Sequence, residues 1–259
     1  MMETIEIQGG VVRLYRSTQD EGKVLDRQVS LKDFLRELSA QAAGRPHEQL
    51  PLFPIGARWL LMRGHSTVVA VEQAPQIRRV SLSDRTGGAK GYLLAFPYIV
   101  YLLLFYRGAF EEMRLYYRKA PLMSQDDPLL FPNLWNVSAN ESPLAKCRAC
   151  LRGRPLFEDH SLAGQAQEAV EFFWNAGFGL EVEENCFQRA SKRDPLITSP
   201  EAWEAATRAD PLFPLQVDWE DAKVTLRKAG EHLLDWRGYG KRVEEVSDLA
   251  DIIYRLKET

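Results

Sequence analysis

Apolar and polar positions alternate with period two at the start of the chain. Residues 4–7 and 11–15 do so on either side of Gly9-Gly10 and predict a hairpin, with 23–29 as a third strand. Ser30 with Asp33 three positions on has the form of a capping box. Leu31, Phe34, Leu35 and Leu38 then recur at helical spacing until Gly44 and Pro46 close the helix. Pro46, Pro51 and Pro54 make 45–56 a loop or linker. Strand patterns resume at 57–62, 67–72 and 77–82, the first two joined by Gly64-His65.

Next comes an unbroken apolar and aromatic run over 92–106, YLLAFPYIVYLLLFY. A membrane-spanning helix needs ~20 residues and Pro97 interrupts this one, so its β-branched and aromatic content predicts a strand buried on both faces. The preceding loop, 83–91, reads SDRTGGAKG. It lacks the Ser or Thr after Lys90 that a phosphate-cradling loop requires, which makes it a hairpin loop. A turn at Arg107-Gly108 leads to a strand over 110–117 that Pro121 ends.

Beyond residue 154 the period changes to helical. Ala166, Ala169, Val170, Phe173 and Trp174 line one side of 163–174, which Gly177-Phe178-Gly179 terminates. Thr198-Ser199-Pro200 opens a second helix with a capping hydroxyl and Glu201 in its first turn, stopping near Asp210-Pro211. Residues 218–234 form a third, and 243–256, with Val243, Val246, Leu249, Ile252, Ile253 and Leu256 in phase, a fourth. Strands first and helices last is an α+β order, and no internal repeat interrupts it.

Composition is that of an ordinary globular chain, with 45% hydrophobic and 27% charged residues in 259. A net charge of −3 gives no electrostatic footprint for nucleic acid. Three cysteines, a small and odd number, argue against a disulfide framework, and a reducing cytoplasm fits them best. The N-terminus MMETIEIQGG has no apolar signal core, and neither a membrane segment nor a cofactor motif is expected.

Chemistry concentrates in 129–154, LLFPNLWNVSANESPLAKCRACLRGR. Cys147 and Cys150 form a C-x-x-C among Lys146, Arg148, Arg152 and Arg154, cations that stabilise a thiolate. A zinc site would need two more ligands, and His160 and Cys186 do not stand at standard separations. A redox pair should follow a strand within a β-α-β unit, which the pattern does not contain. A single nucleophilic cysteine is the third reading, and two small packed residues the fourth. Asp159-His160 is a secondary candidate for deprotonating an incoming amine. Cys186, the aromatic residues 172–174 and His65 read as core or turn positions.

Four pieces in this order, FPYIVYLLLFYRGAFEEMRLYYR, LLFPNLWNV, ACLRG and VEFFWNAGF, resemble the ubiquitin-conjugating enzyme family. The likeness is to its divergent prokaryotic branch in bacterial ubiquitin-like conjugation operons, and it covers roughly 79–178. It implies an antiparallel strand meander followed by helices over 79–215. A strand-plus-helix extension at 1–78 and a helical one at 216–259 would flank it. The resemblance further implies a transferase that takes a ubiquitin-like protein from an activating enzyme as a cysteine thioester and passes it to a lysine or other amine of a target, in antiphage defence. Cys150 is the preferred nucleophile, because Cys-Leu-Arg-Gly imitates the family's Cys-Leu-x-Gly, with Cys147 the alternative. Phe131-Pro132-Asn133 matches two of three positions of the family's His-Pro-Asn, making Asn133 the candidate oxyanion support and Asn136, in Asn-Val, its rival. Asn133 stands seventeen positions before Cys150, farther than in the family, so SANESPLAK must loop out. The alternatives are a non-catalytic interaction module with the same fold and a zinc-stabilised binding protein.

Overall fold

The N-terminal alternation folds as the pattern predicts. In this computed structural model, which describes residues 2–18, 22–43, 54–63, 65–83, 88–139, 146–151, 153, 155–179, 186–238 and 253, β1 (Met2–Gln8) and β2 (Val11–Thr18) form a hairpin and β3 (Gly22–Ser30) pairs with β2. Gly9 and Gly10 turn the hairpin in the left-handed region, at φ 57° and 80°. The Ser30 hydroxyl accepts from the Asp33 amide at 3.0 Å and starts α1 (Leu31–Ala43).

The strands β4 (Ala57–Arg63), β5 (Ser66–Gln73), β6 (Gln76–Ser83), β7 (Ala89–Phe96), β8 (Tyr98–Tyr106), β9 (Ala109–Arg118) and β10 (Pro128–Leu130) follow. Four helices come next: α2 (Leu162–Asn175), α3 (Cys186–Ala190), α4 (Pro200–Ala209) and, after β11 (Asp221–Thr225), α5 (Leu226–Gly238). Nine strands make one antiparallel sheet in the order β3-β2-β1-β4-β5-β8-β9-β10-β11, curled into a half-barrel, while β6 and β7 form a separate ribbon.

The expected α+β arrangement of the ubiquitin-conjugating type is therefore overturned. The described chain is mostly antiparallel β, and its helices pack on a half-barrel instead of following a short meander. The sheet draws strands from 1–78, from 79–215 and from 216–259. Two local expectations also change. The apolar run 92–106 is not one strand: Pro97, which has no N–H to give a ladder, separates β7 from β8, and the two halves join different sheets. The helix expected over 218–234 begins as β11, which extends the sheet beyond β10. The helix expected at 243–256 lies outside the described residues except for Ile253, which is buried.

Register explains the burial of β8, whose residues from Ile99 to Phe105 are all at most 1% exposed. Successive side chains point to opposite faces, and each face has its own cover. On one, Trp174 of α2 donates its indole N–H to the Tyr101 hydroxyl at 2.7 Å. On the other, α5 lies against β4 so closely that a Cβ on Gly230 would stand 2.5 Å from the Trp59 ring. The ribbon is tied down by α4. Glu204 and Thr207 accept from the amides of Leu93 and Ala95, and Trp203 Nε1 donates to the Ala95 carbonyl. Among the described residues no helix is long and apolar enough to cross a membrane.

Candidate functional site

The cysteine segment lies between β9 and residues 136–138 and is bridged to both. Leu115 N–H of β9 donates to the Cys147 carbonyl and Ala149 N–H to the Met113 carbonyl, so 147–149 lengthens the sheet on the β9 edge. On its other side Cys147 N–H donates to Ser138 O, Ser138 N–H to Arg148 O, and Cys150 N–H to Asn136 O at 2.7 Å. The segment 140–145, where the insertion was expected to loop out, lies outside the described residues.

This geometry separates the two cysteines. Cys147 adopts φ 64°, in the left-handed region that side chains rarely occupy, and is fully buried. Desolvation pushes its thiol up to about 12 against the smaller opposing pull of Lys146 and Arg114, so it stays protonated and unreactive near neutral pH. Cys150 is partly exposed, whereas Cys147 and Cys186 are buried. The C-x-x-C thus resolves into one packed thiol and one accessible thiol.

The asparagines separate in the same way. Asn136 is fully buried, its Nδ2 donating to Gly177 O at 2.9 Å and its Oδ1 accepting from Gly179 N–H at 3.3 Å. Both ends of the amide are occupied in pinning this loop to the end of α2, where Gly177 itself takes φ 69°. Asn133 is also buried, and its Nδ2 has no hydrogen-bond partner among the described residues. Of the two, Asn133 is the one whose amide nitrogen makes no hydrogen bond among the described residues. The structure brings Asn136, Cys147 and Cys150 into one hydrogen-bonded block, and Asn133 sits in the loop leading into it. Beside Asn133, the Phe131 ring carries Arg189 at 4.4 Å and Lys146 at 5.7 Å, so the block is flanked by cations.

A polar stripe on β9 is not among the candidates that the sequence motifs point to. Glu112, Arg114 and Tyr116, two apart, face the same side as α5 and are at most 6% exposed. Arg114 Nε approaches Glu112 Oε1 at 3.3 Å, and Arg148 Nε approaches the other carboxylate oxygen at 3.4 Å. Tyr116 hydrogen-bonds Cys147, and its phenol is raised by desolvation and then by that thiol. His232 of α5 is lowered, chiefly by desolvation and then by Arg114. The signal was present in the alternation of Glu112, Arg114 and Tyr116 with Met113, Leu115 and Tyr117, a strand with two buried faces of which one is charged.

The secondary candidates have structural duties. Asp159 accepts from Ser161 through both its amide and its hydroxyl and is held below the usual carboxylate range by those bonds. Gly164 packs so tightly beneath it that a Cβ there would collide with the Asp159 carboxylate. His160 is exposed. Among the described residues no three His, Cys, Asp or Glu side chains gather as a metal site. Comparison of the chain with protein-family models, with curated proteins and with solved structures gives no match.

Proposed function

We propose that the chain is a cysteine-dependent acyl transferase of the cytoplasm, in which Cys150 carries the C-terminal acyl group of a ubiquitin-like protein. The observation that carries this reading is the accessibility of Cys150 beside the buried thiols of Cys147 and Cys186. Its thiolate attacks the acyl carbon presented by an activating enzyme, the activating enzyme's thiol leaves, and a thioester remains. An amine of the target then attacks that carbon, and the Cys150 thiolate departs. Asn133, whose Nδ2 has no hydrogen-bond partner among the described residues, is the candidate donor for the oxyanion of either step, since the Asn136 amide is engaged with Gly177 and Gly179. The role in antiphage defence is part of the same proposal. The half-barrel does not supply the surfaces of the ubiquitin-conjugating fold, so partner docking must use others.

A second reading, a non-catalytic interaction module, is favoured by the number of chosen side chains absorbed into structure. Cys147 and Asn136 are both locked. One experiment separates the two. The full chain is incubated with ATP and with a bacterial ubiquitin-like protein and its activating enzyme. A thiol-sensitive adduct that persists in Cys147→Ala and vanishes in Cys150→Ala supports the transferase. No adduct, or one that persists in both variants, overturns it in favour of the module.

A further inference from the structure

A cavity of roughly 350 Å³ opens between the ends of β5 and β6 and the face of α2, and none of the residues of the cysteine block lines it. Its wall is apolar at Val71, Ala166 and Val170 and charged at Arg78, Glu72 and Glu171. That volume lies within the range of small-molecule sites, whose walls combine apolar area with a few placed polar or charged groups.

Arg78 is the unusual member. Its guanidinium lies over the Trp174 ring at 4.6 Å and gives Nη2 to Gln73 Oε1 at 2.7 Å. Both supports are themselves fixed. Gln73 Oε1 also accepts from the Tyr101 hydroxyl at 2.8 Å and from Gln76 Nε2 at 2.8 Å, and the Trp174 indole is bonded to Tyr101. The arginine is therefore immobilised before any ligand arrives, which removes much of the rotamer entropy that binding would cost.

Among the described residues this guanidinium has no ion pair within 4 Å, and its Nε is buried without a hydrogen bond. Of the neighbouring carboxylates, Glu72 is engaged by Arg58 Nε at 3.0 Å and by the Leu122 amide at 2.6 Å. Glu171 stands exposed on α2 and accepts from Gln167 Nε2. Burial lowers Arg78 below its ordinary range, opposed by Tyr101 and by Glu171, which acts on it without a direct ion pair among the described residues. The cavity beside it has room for an anion in direct contact with the guanidinium.

We propose that this cavity binds a carboxylate with an apolar body, the carboxylate on Arg78 and the body against Val71, Ala166 and Val170. Arginine suits this role because its planar fork matches a carboxylate in two bonds, while an apolar tail gains from leaving water. The ligand is either a small free carboxylic acid or the carboxyl terminus of a polypeptide, and the chemistry recognised is the same. The site is independent of the reading given for Cys150, and either can fail alone.

Titration calorimetry of the full chain with hexanoate and with an acetylated dipeptide ending in leucine, each beside its neutral amide, tests the proposal. Both acids should bind and both amides should bind about tenfold to a hundredfold more weakly, the loss expected for one charge-assisted pair. Arg78→Gln should weaken the acids to the level of the amides. Comparable affinities for hexanoate and the peptide acid mark a small-molecule site, and a peptide preference of about tenfold or more marks a chain terminus. Equal binding of acid and amide, or no binding of either acid up to about 10 mM, overturns the proposal. Because the acid-to-amide comparison is made on the unmodified chain, it decides the matter even if Arg78→Gln does not fold.

Discussion

The Cys150 amide donates to the Asn136 carbonyl at 2.7 Å, so the accessible thiol and the buried asparagine are joined through backbone and not through their side chains. The Asn136 side chain faces the other way, toward Gly177 and Gly179. The two residues share a block without sharing a reaction, and this separation sets the first expectation.

Alkylation should distinguish the three thiols. With its thiol pushed up to about 12, Cys147 is a thiolate at pH 8 in roughly one molecule in ten thousand. Iodoacetamide at that pH should therefore label Cys150 in the folded protein, with Cys147 and Cys186 modified only after unfolding. Peptide mass spectrometry reads the result directly. Labelling of Cys147 ahead of Cys150 would contradict the burial described.

Removing the Asn136 side chain should cost stability before it affects any chemistry. Asn136→Ala deletes two hydrogen bonds and leaves the half-buried Gly177 carbonyl and the buried Gly179 amide unpaired, a loss of about 2–3 kcal/mol. Urea denaturation should show this as a lower midpoint with an unchanged slope. Asn133→Ala, which deletes a donor already without a partner, should fall well short of that loss.

Gly230→Ala tests the seating of α5. The added methyl meets the Trp59 ring, and neither the helix backbone nor a buried indole yields easily. Overpacking of this kind costs about 1–3 kcal/mol. A thermal midpoint equal to that of the parent would mean that α5 can shift outward freely.

The β9 stripe predicts a sign reversal. Glu112→Leu leaves Arg114 buried beside a lost carboxylate and should destabilise by about 3 kcal/mol or more. Replacing both Glu112 and Arg114 with leucine should cost less than Glu112→Leu alone, since no buried charge remains. A double-mutant cycle that comes out additive would show the pair to be uncoupled.

Acid should erode one surface contact in a defined window. Tyr92 and Lys90 donate to Glu201, in that order of influence, and hold its carboxyl down to about 2. Because the folded value lies below the unfolded one, the contribution is complete above about 4.5 and disappears as pH falls toward 2. Glu201 is largely exposed, which keeps the gain below about 1 kcal/mol. The difference in stability between the parent and Glu201→Gln should therefore shrink between pH 5 and pH 2, as thermal melts across that range would record.

Local order was legible wherever a period was clean. The Gly9-Gly10 hairpin, the Ser30 cap, the strand at 77–82 and the aromatic face of α2 all follow from short-range rules, and each is found. What the pattern could not convey was pairing between distant strands. An apolar run such as 92–106 has no period to show that its halves belong to two sheets, and β11 is five residues whose strand state depends on β10, about ninety positions earlier. The resemblance to the ubiquitin-conjugating family rested on short motifs in a fixed order, and such an order does not specify which strands become neighbours. Within the candidate site, the sequence supplies the residue types but not the directions in which they point. A single left-handed residue at Cys147 decides which thiol turns inward, and nothing in C-x-x-C announces it.

The clasp of α4 on β7 has a further consequence, for how the protein fails. Leu93 and Ala95 offer the kind of unpaired strand edge to which a stray polypeptide can add, and here the side chains of Glu204, Thr207 and Trp203 already fill it. Loosening this helix would turn a sealed border into a template. Damage to α4 should therefore appear first as material lost to the pellet, with the molecules left in solution still intact at Cys150.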